Sequence, residues 1–274
     1  MAEFLLPSLA EVIRRFDLHA NKSLGQHFLL DPSLLARIAA SAGNLEGLNV
    51  IEVGPGPGGL TRALLETKAA SVTAIEFDRR AVAAISALAT TTNRLTIIEA
   101  DAMKVDLASL VASPRTIVAN LPYNIGTLLL VRWLQQAAAF QSMTLMFQLE
   151  VAERICAEPN TGAYGRISVL AQWLCKVAML MRIPAGAFAP PPKVESALIQ
   201  LTPLPEQPPL EDLKLMERLT ATAFGQRRKM LRSALKPLGG EALCNEAGID
   251  SSRRAETLRV EEFVKLMQRL KGRS

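Results

Sequence analysis

Between residues 48 and 148 the chain repeats one rhythm, a short apolar run followed by a segment of helical period, and no other property limits its fold as strongly. The runs 49–53, 71–77, 95–98, 116–119 and 142–148 are rich in Val, Ile, Leu and Thr and carry few charges. Such runs suit strands covered on both faces. The segments 58–67, 79–88, 105–111 and 125–138 between them read as helices. This alternation predicts an α/β fold with a doubly wound, mostly parallel sheet. Ligands of such sheets bind outside the carboxyl ends of the strands. Gly54, Glu76, Asp101 and Asn120 all fall at those ends or just past them.

The flanks complete the domain plan. Ser8 and Glu11 fit a capping box for a short helix. An aperiodic polar and aromatic stretch occupies 21–29, and Asp31 before Pro32 reads as the start of the next helix. Beyond 148 the pattern gives a helix at 166–175, a strand at 177–183, a stiff proline loop at 188–193 and a strand at 194–201. The proline-rich stretch 203–209 reads as a linker. Helical patterns follow at 210–224, 227–235, 241–247 and 260–270. Two domains are expected, 1–203 with an N-terminal arm of about thirty residues, and a small all-helical 204–274.

Charge is unevenly shared. Residues 204–274 hold 14 Lys and Arg against 10 Asp and Glu, a surplus of four, whereas residues 1–203 hold 17 against 16. A polyanion docking on the last quarter accounts for this, and so does a solvated basic helix face. No run approaches the ~20 apolar residues of a membrane span. Cys156, Cys175 and Cys244 show no metal-ligand spacing, so no metal is expected, and reduced thiols in a cytoplasmic protein are.

A glycine-rich stretch, Gly54-Pro55-Gly56-Pro57-Gly58-Gly59, links the first strand of the repeat to its helix. With Glu76 ending the next strand it has the form of a nucleoside-binding turn, the acid accepting from ribose hydroxyls. NAD is the first competitor, but a diphosphate needs a loop of free N–H groups, and Pro55 and Pro57 remove two. Asp101 adds an acceptor for an exocyclic adenine amine. A nucleoside without a diphosphate is indicated, which S-adenosylmethionine satisfies.

The strand at 116–119 runs into Asn120-Leu121-Pro122-Tyr123-Asn124. Pro122 fixes its own φ and drives Leu121 extended. A carboxamide and set carbonyls beside an aromatic ring suit a flat base with an exocyclic amine, and a turn closing a strand with Tyr123 as a lid on the core accounts for them equally.

Taken together, these motifs resemble a class I, Rossmann-like methyltransferase. More narrowly the chain is similar to the ribosomal RNA adenine N6,N6-dimethyltransferase family. NKSLGQHFL (21–29), IEVGPGPGGLT (51–61), IEFDRR (75–80), EADAM (99–103), NLPYNI (120–125), FQLEVAERI (147–155), AYGRISV (163–169), FAPPPKVESA (188–197) and FGQRRKMLRSAL (224–235) carry the resemblance. The last two favour the small-subunit branch, which dimethylates two adjacent adenines in a hairpin near the 3′ end of that RNA, with a role in assembly. The resemblance implies a monomer with S-adenosylmethionine held by His27, Leu29, Gly54, Glu76, Asp101 and Asn120. It implies a target base bound by Asn120, Leu121, Pro122 and Tyr123, with Phe188 as the second stacking face. Arg227, Arg228, Lys229, Arg232 and Lys236 would face RNA phosphate, with 228, 229 and 232 near one helical face. Two departures stand out. Gly126 replaces a Ser and is expected to loosen the following helix, and Leu149 replaces a Lys. The large-subunit resistance methyltransferases share the glycine loop and NLPY, and a non-catalytic assembly factor is the other alternative.

Overall fold

The computed structural model of the chain describes residues 7–18 and 27–273. Most of the 21–29 motif, and the rest of the expected arm outside 7–18 and 27–30, lie outside those residues. Tertiary contacts divide the chain into two compact units. One comprises Met1–Leu130, Ala139–Ala152 and Met179–Thr202, the other Val131–Ala138, Glu153–Ala178 and Pro203–Ser274. The expected boundary near 203 is one edge of this division. The helical unit also takes in 131–138 and 153–178, which the sequence pattern assigns to the larger domain.

In the first unit α1 (Leu9–Arg15) is opened by the Ser8–Glu11 capping box, and α2 (Pro32–Ser41) by Asp31, whose carboxylate accepts from the Ser33 N–H. Between them lies a two-residue strand, β1 (Phe28–Leu29). The repeat then folds as β2 (Asn49–Val53), α3 (Gly59–Leu65), β3 (Ser71–Glu76), α4 (Arg79–Ala89), β4 (Leu95–Glu99), α5 (Leu107–Leu110), β5 (Arg115–Asn120), α6 (Gly126–Leu134) and β6 (Met143–Gln148). The helix expected at 125–138 stops at Leu134, and Ala137–Ala139 forms a single 3-10 turn. Along the chain then come α7 (Leu149–Ile155), which periodicity did not reveal, α8 (Arg166–Leu174), which belongs to the second unit, β7 (Cys175–Ile183), β8 (Phe188–Ala189) and β9 (Ser196–Pro203).

Seven strands form one sheet in the order β4-β3-β2-β5-β6-β9-β7. The pairs β3–β4, β2–β3, β2–β5 and β5–β6 are parallel, and β6–β9 is antiparallel. Val50, Ile51, Val72, Ala74, Ile117, Val118 and Leu145 have at most 1% exposure, as strands covered on both faces require. Strand order reverses between β2 and β5. Their pairing ends at Ile51 with Ile117, whereas β2–β3 pairs as far as Val53 and β5–β6 as far as Asn120. The last residues of β2 and β5 therefore part, and a crevice opens at the switch point. A second, two-stranded sheet pairs β1 antiparallel with β8, Phe28 opposite Ala189 and Leu29 opposite Phe188.

The second unit is helical. It contains α8 and four C-terminal helices, α9 (Leu210–Gly225), α10 (Leu231–Ala234), α11 (Gly240–Glu246) and α12 (Val260–Lys271). Buried faces of α8, α9 and α12 meet. Phe224 stacks on Phe263 at 5.7 Å and meets the edge of Tyr164 at 6.0 Å. This packing is why 153–178 belongs with the C-terminal helices. The helix expected at 227–235 is a correction: only Leu231–Ala234 is helical. Upstream, Lys229 N–H closes a turn on Gln226, Met230 bridges to Arg254, and the Leu231 and Arg232 N–H groups donate to Arg253 and Ser251. Those cross-chain bonds replace the start of a helical ladder. No described helix is long and apolar enough to cross a membrane.

Candidate active site

The turn after β2 is built for close approach. Gly54, Gly56 and Gly58 have φ of +72°, +55° and +85°, a region costly for residues with a Cβ. A Cβ on Gly56 would lie 3.0 Å from the Phe28 ring, so the β1 arm, and not only a ligand, needs that glycine. Between Gly54 and Gly58 the loop has no N–H to spare for a phosphate. Pro55 and Pro57 carry none, Gly54 donates to Ile75, Gly58 to Pro55, and Gly56 to the Glu76 carboxylate at 3.2 Å.

Glu76 is 7% exposed and anchored at the end of β3. Its Oε1 accepts from the Phe77 and Asp78 N–H groups, both at 2.8 Å. Burial pushes its carboxyl up, opposed by these bonds and the one from Gly56. Three of about four acceptor sites are thus filled. One hydroxyl can join at Oε2, and accepting from both ribose hydroxyls would take the place of Gly56. Glu52, which sequence reasoning passed over, is 1% exposed inside β2. Its carboxyl is pushed up to about 8 by burial, with Glu76 adding to the rise, and the Thr61 hydroxyl donates to it at 2.6 Å. A lone Glu between Ile51 and Val53 in an apolar run was the available signal.

Two hollows meet along Gly54, Glu76 and Pro122. The outer one is walled by Val53, Ile75, Phe77, Ala102 and Ile125, with Asp101 at its edge. Phe77 is 68% exposed at this lip, another contact the sequence did not single out. Apolar walls with carboxylates at the margin, Asp101 beside Glu76 and Asp78, suit a flat base bearing an amine. The inner hollow is lined by His27, Leu29, Glu52, Gly54, Asn120, Leu121 and Tyr123. Five of the expected cofactor residues, His27, Leu29, Gly54, Glu76 and Asn120, therefore line one hollow, and Asp101 lines the adjoining one.

β5 delivers Asn120 to the rim. The Pro122 carbonyl accepts from the Ile125 and Gly126 N–H groups, which starts α6. It is thereby committed, and the free acceptor roles fall to the Asn120 amide and the Leu121 carbonyl. At Gly126 a Cβ would lie 3.2 Å from the Phe147 ring, so a Ser there would press on that ring. Asn120 Nδ2 donates to the His27 carbonyl at 3.3 Å, and Oδ1 remains an acceptor. The His27 ring stacks on Tyr123, 5.3 Å between centroids and 30° between planes, and His27 Nδ1 lies 2.8 Å from the Pro190 carbonyl. Phe188 is 4% exposed and meets His27 edge-on at 6.4 Å. His27 thus lies between the two rings that the resemblance assigns to the target base.

In the helical unit, Arg228, Lys229, Arg232 and Lys236 are exposed. The expected common helical face of Arg228, Lys229 and Arg232 is not formed, since of these only Arg232 lies in a helix. Arg227 is tied inward, donating to Glu256 at 2.8 Å and to the Thr161 carbonyl at 3.2 Å.

Fold and site together define a class I methyltransferase that uses S-adenosylmethionine. The family model for ribosomal RNA adenine dimethylase matches residues 17–271. Ribosomal RNA small subunit methyltransferase A of Gluconobacter oxydans is 55% identical over 264 residues, 96% of this chain and 87% of that protein. The protein of the same name from Sinorhizobium medicae is 53% identical over 95% of this chain and 96% of its own. Among solved structures, a dimethyladenosine transferase from Plasmodium falciparum matches with a TM-score of 0.74 at 25% identity, over 90% of this chain and 98% of that one. The 23S rRNA methyltransferase ErmE gives 0.66 at 28% identity, over 89% and 99%. The chain belongs to the ribosomal RNA adenine dimethylase family.

Proposed function

We propose that the protein transfers methyl groups to the exocyclic N6 of two adjacent adenosines in a 3′-terminal hairpin of small-subunit ribosomal RNA, giving N6,N6-dimethyladenosine, and acts as a monomer on an assembled or assembling small subunit in the cytoplasm. The observation that carries this reading is the Asn120–Tyr123 corner, set at the rim of β5 beside the hollow that leads to Asp101. High identity to proteins named for the small subunit, over nearly the whole chain, supports that substrate over the large-subunit one.

S-adenosylmethionine, when bound, supplies an electrophilic methyl on a sulfonium. Asp101 accepts from its adenine amine, Glu76 from a ribose hydroxyl, and His27, Leu29, Gly54 and Asn120 line the remainder. Glu52 stays neutral below about 8 and so adds no charge to that of Asp78 beside Glu76.

The target amine is a weak nucleophile because its lone pair is shared with the purine ring. Accepting its N–H groups on Asn120 Oδ1 and the Leu121 carbonyl favours a more tetrahedral nitrogen and stabilises the positive charge that grows during attack. Tyr123 stacks on the base and holds it in line, with Phe188 on the other side once His27 has moved from between them. The methylated nitrogen is acidic enough to lose its proton to water, so no strong base is required. Arg228, Lys229, Arg232 and Lys236 bind phosphate, and recognition follows RNA shape.

Labelled methyl transfer to unmodified small and large subunits, followed by nuclease mapping, tests the assignment. Label in two adjacent adenosines of the small subunit is expected. Label confined to the large subunit favours the second reading, which the ErmE match supports. An assembly role shows if an inactive variant still alters small-subunit maturation.

A further inference from the structure

We propose that Ser196 is a positioning residue for this reaction: its hydroxyl anchors the Tyr123 phenol and so fixes the plane on which the target base stacks. The two oxygens lie 2.5 Å apart. Ser196 is fully buried at the first position of β9, opposite Gln148 at the end of β6. The next rung is closed by the Leu149 N–H donating to the Glu195 carbonyl at 2.8 Å. The anchor therefore stands on backbone held by the sheet.

Stacking alone needs a ring, and Phe supplies one. A phenol pushed against the protein costs free energy unless its hydroxyl is bonded. Here the hydroxyl has a buried partner on backbone held by the sheet, and the cost becomes a tether. Tyr123 is held at its backbone end by Pro122 and by the turn that the Ile125 and Gly126 N–H groups close on the Pro122 carbonyl. Ser196 holds the far end of the ring. A side chain that otherwise turns about two bonds is fixed at both ends. In-line transfer depends on the base plane, so loss of the tether is felt in the chemical step and not in the binding of either substrate.

The proposal rests on the reading that Tyr123 stacks on the target adenine. Its test is a double-mutant cycle of Ser196→Ala, Tyr123→Phe and the pair, with kcat and both KM values on unmodified small subunits and a melting curve for each protein. Each single change is expected to lower kcat roughly 3- to 10-fold, the worth of one hydrogen bond. Both KM values should hold within about two-fold, and the pair should fall no further than either alone, because each change removes the same hydrogen bond. If Ser196→Ala fails to fold, Tyr123→Phe still reports on the same bond. Wild-type kcat in either single variant, or factors that multiply in the pair, overturns the assignment. A wild-type protein that leaves small subunits unlabelled defeats the functional reading instead, and the Ser196 proposal falls with it.

Discussion

Replacing Glu52 by Gln should change how stability depends on pH, by an amount that follows from the site. In the unfolded chain this carboxyl titrates near 4.5, and in the fold it keeps its proton to about 8. Between those values the folded state holds a proton that the unfolded state has released, so stability falls as pH rises through the window and levels off above it. Each pH unit is worth about 1.4 kcal/mol per proton. From pH 5 to 7.5 the wild type therefore loses roughly 3 kcal/mol that Gln, neutral throughout, does not lose. Gln also keeps an oxygen for the Thr61 hydroxyl and nearly the same volume. For a unit of 150–250 residues, 1 kcal/mol moves Tm by about 2–4 °C, so the variant's advantage should grow by on the order of 10 °C across this range. Melting curves at half-unit steps from pH 5 to 8.5 measure it. Glu76, whose carboxyl is also raised, is common to both proteins, so its contribution largely cancels in the difference. Parallel curves for the two proteins would refute a neutral, buried Glu52.

Other outcomes follow from the same geometry. Asp101→Ala should weaken S-adenosylmethionine roughly 10-fold or more by calorimetry, the worth of a charged hydrogen bond, while leaving RNA affinity unchanged. Arg228→Ala with Lys229→Ala should weaken RNA binding and flatten its salt dependence by about 0.7–0.9 in log–log slope for each phosphate no longer neutralised, read from filter binding at several salt concentrations. Arg227→Ala should instead destabilise the helical unit by about 1–2 kcal/mol in urea unfolding and barely move the salt slope, because its guanidinium serves Glu256 and Thr161.

What the sequence made legible is what depends on neighbours along the chain. The runs that became β2 to β6 are apolar over four to seven residues, and the sheet buries those of β2, β3, β5 and β6, while β4, at its edge, keeps only Leu95 buried. Gly54, Glu76, Asp101 and Asn120 stood out because each ends a strand or lies just past one, and a doubly wound sheet gathers strand ends. Contacts between distant segments left no such trace. Phe28 and Leu29 pair with Phe188 and Ala189 through a two-stranded ladder too short to show a period, and this is what sets His27 against Tyr123. Ser196 lies 73 residues from Tyr123. The missing first turn of the helix expected at 227–235 has the same cause: its N–H groups pair with 251–254, and local propensity yields to those partners. The helix at 166–174 is legible, but the unit it joins is not, because Tyr164, Phe224 and Phe263 meet only in three dimensions.

The central claim is that the Asn120 amide, at the sheet's rim, receives the amine of an extruded adenine as it takes the methyl group. Single-turnover transfer within a preformed complex of protein, labelled S-adenosylmethionine and unmodified small subunit measures this step apart from binding. Asn120→Ala is expected to slow it by about 100-fold or more, as loss of a group that stabilises developing charge does elsewhere, with RNA affinity within a few-fold of wild type. A single-turnover rate near that of the wild type would contradict the claim.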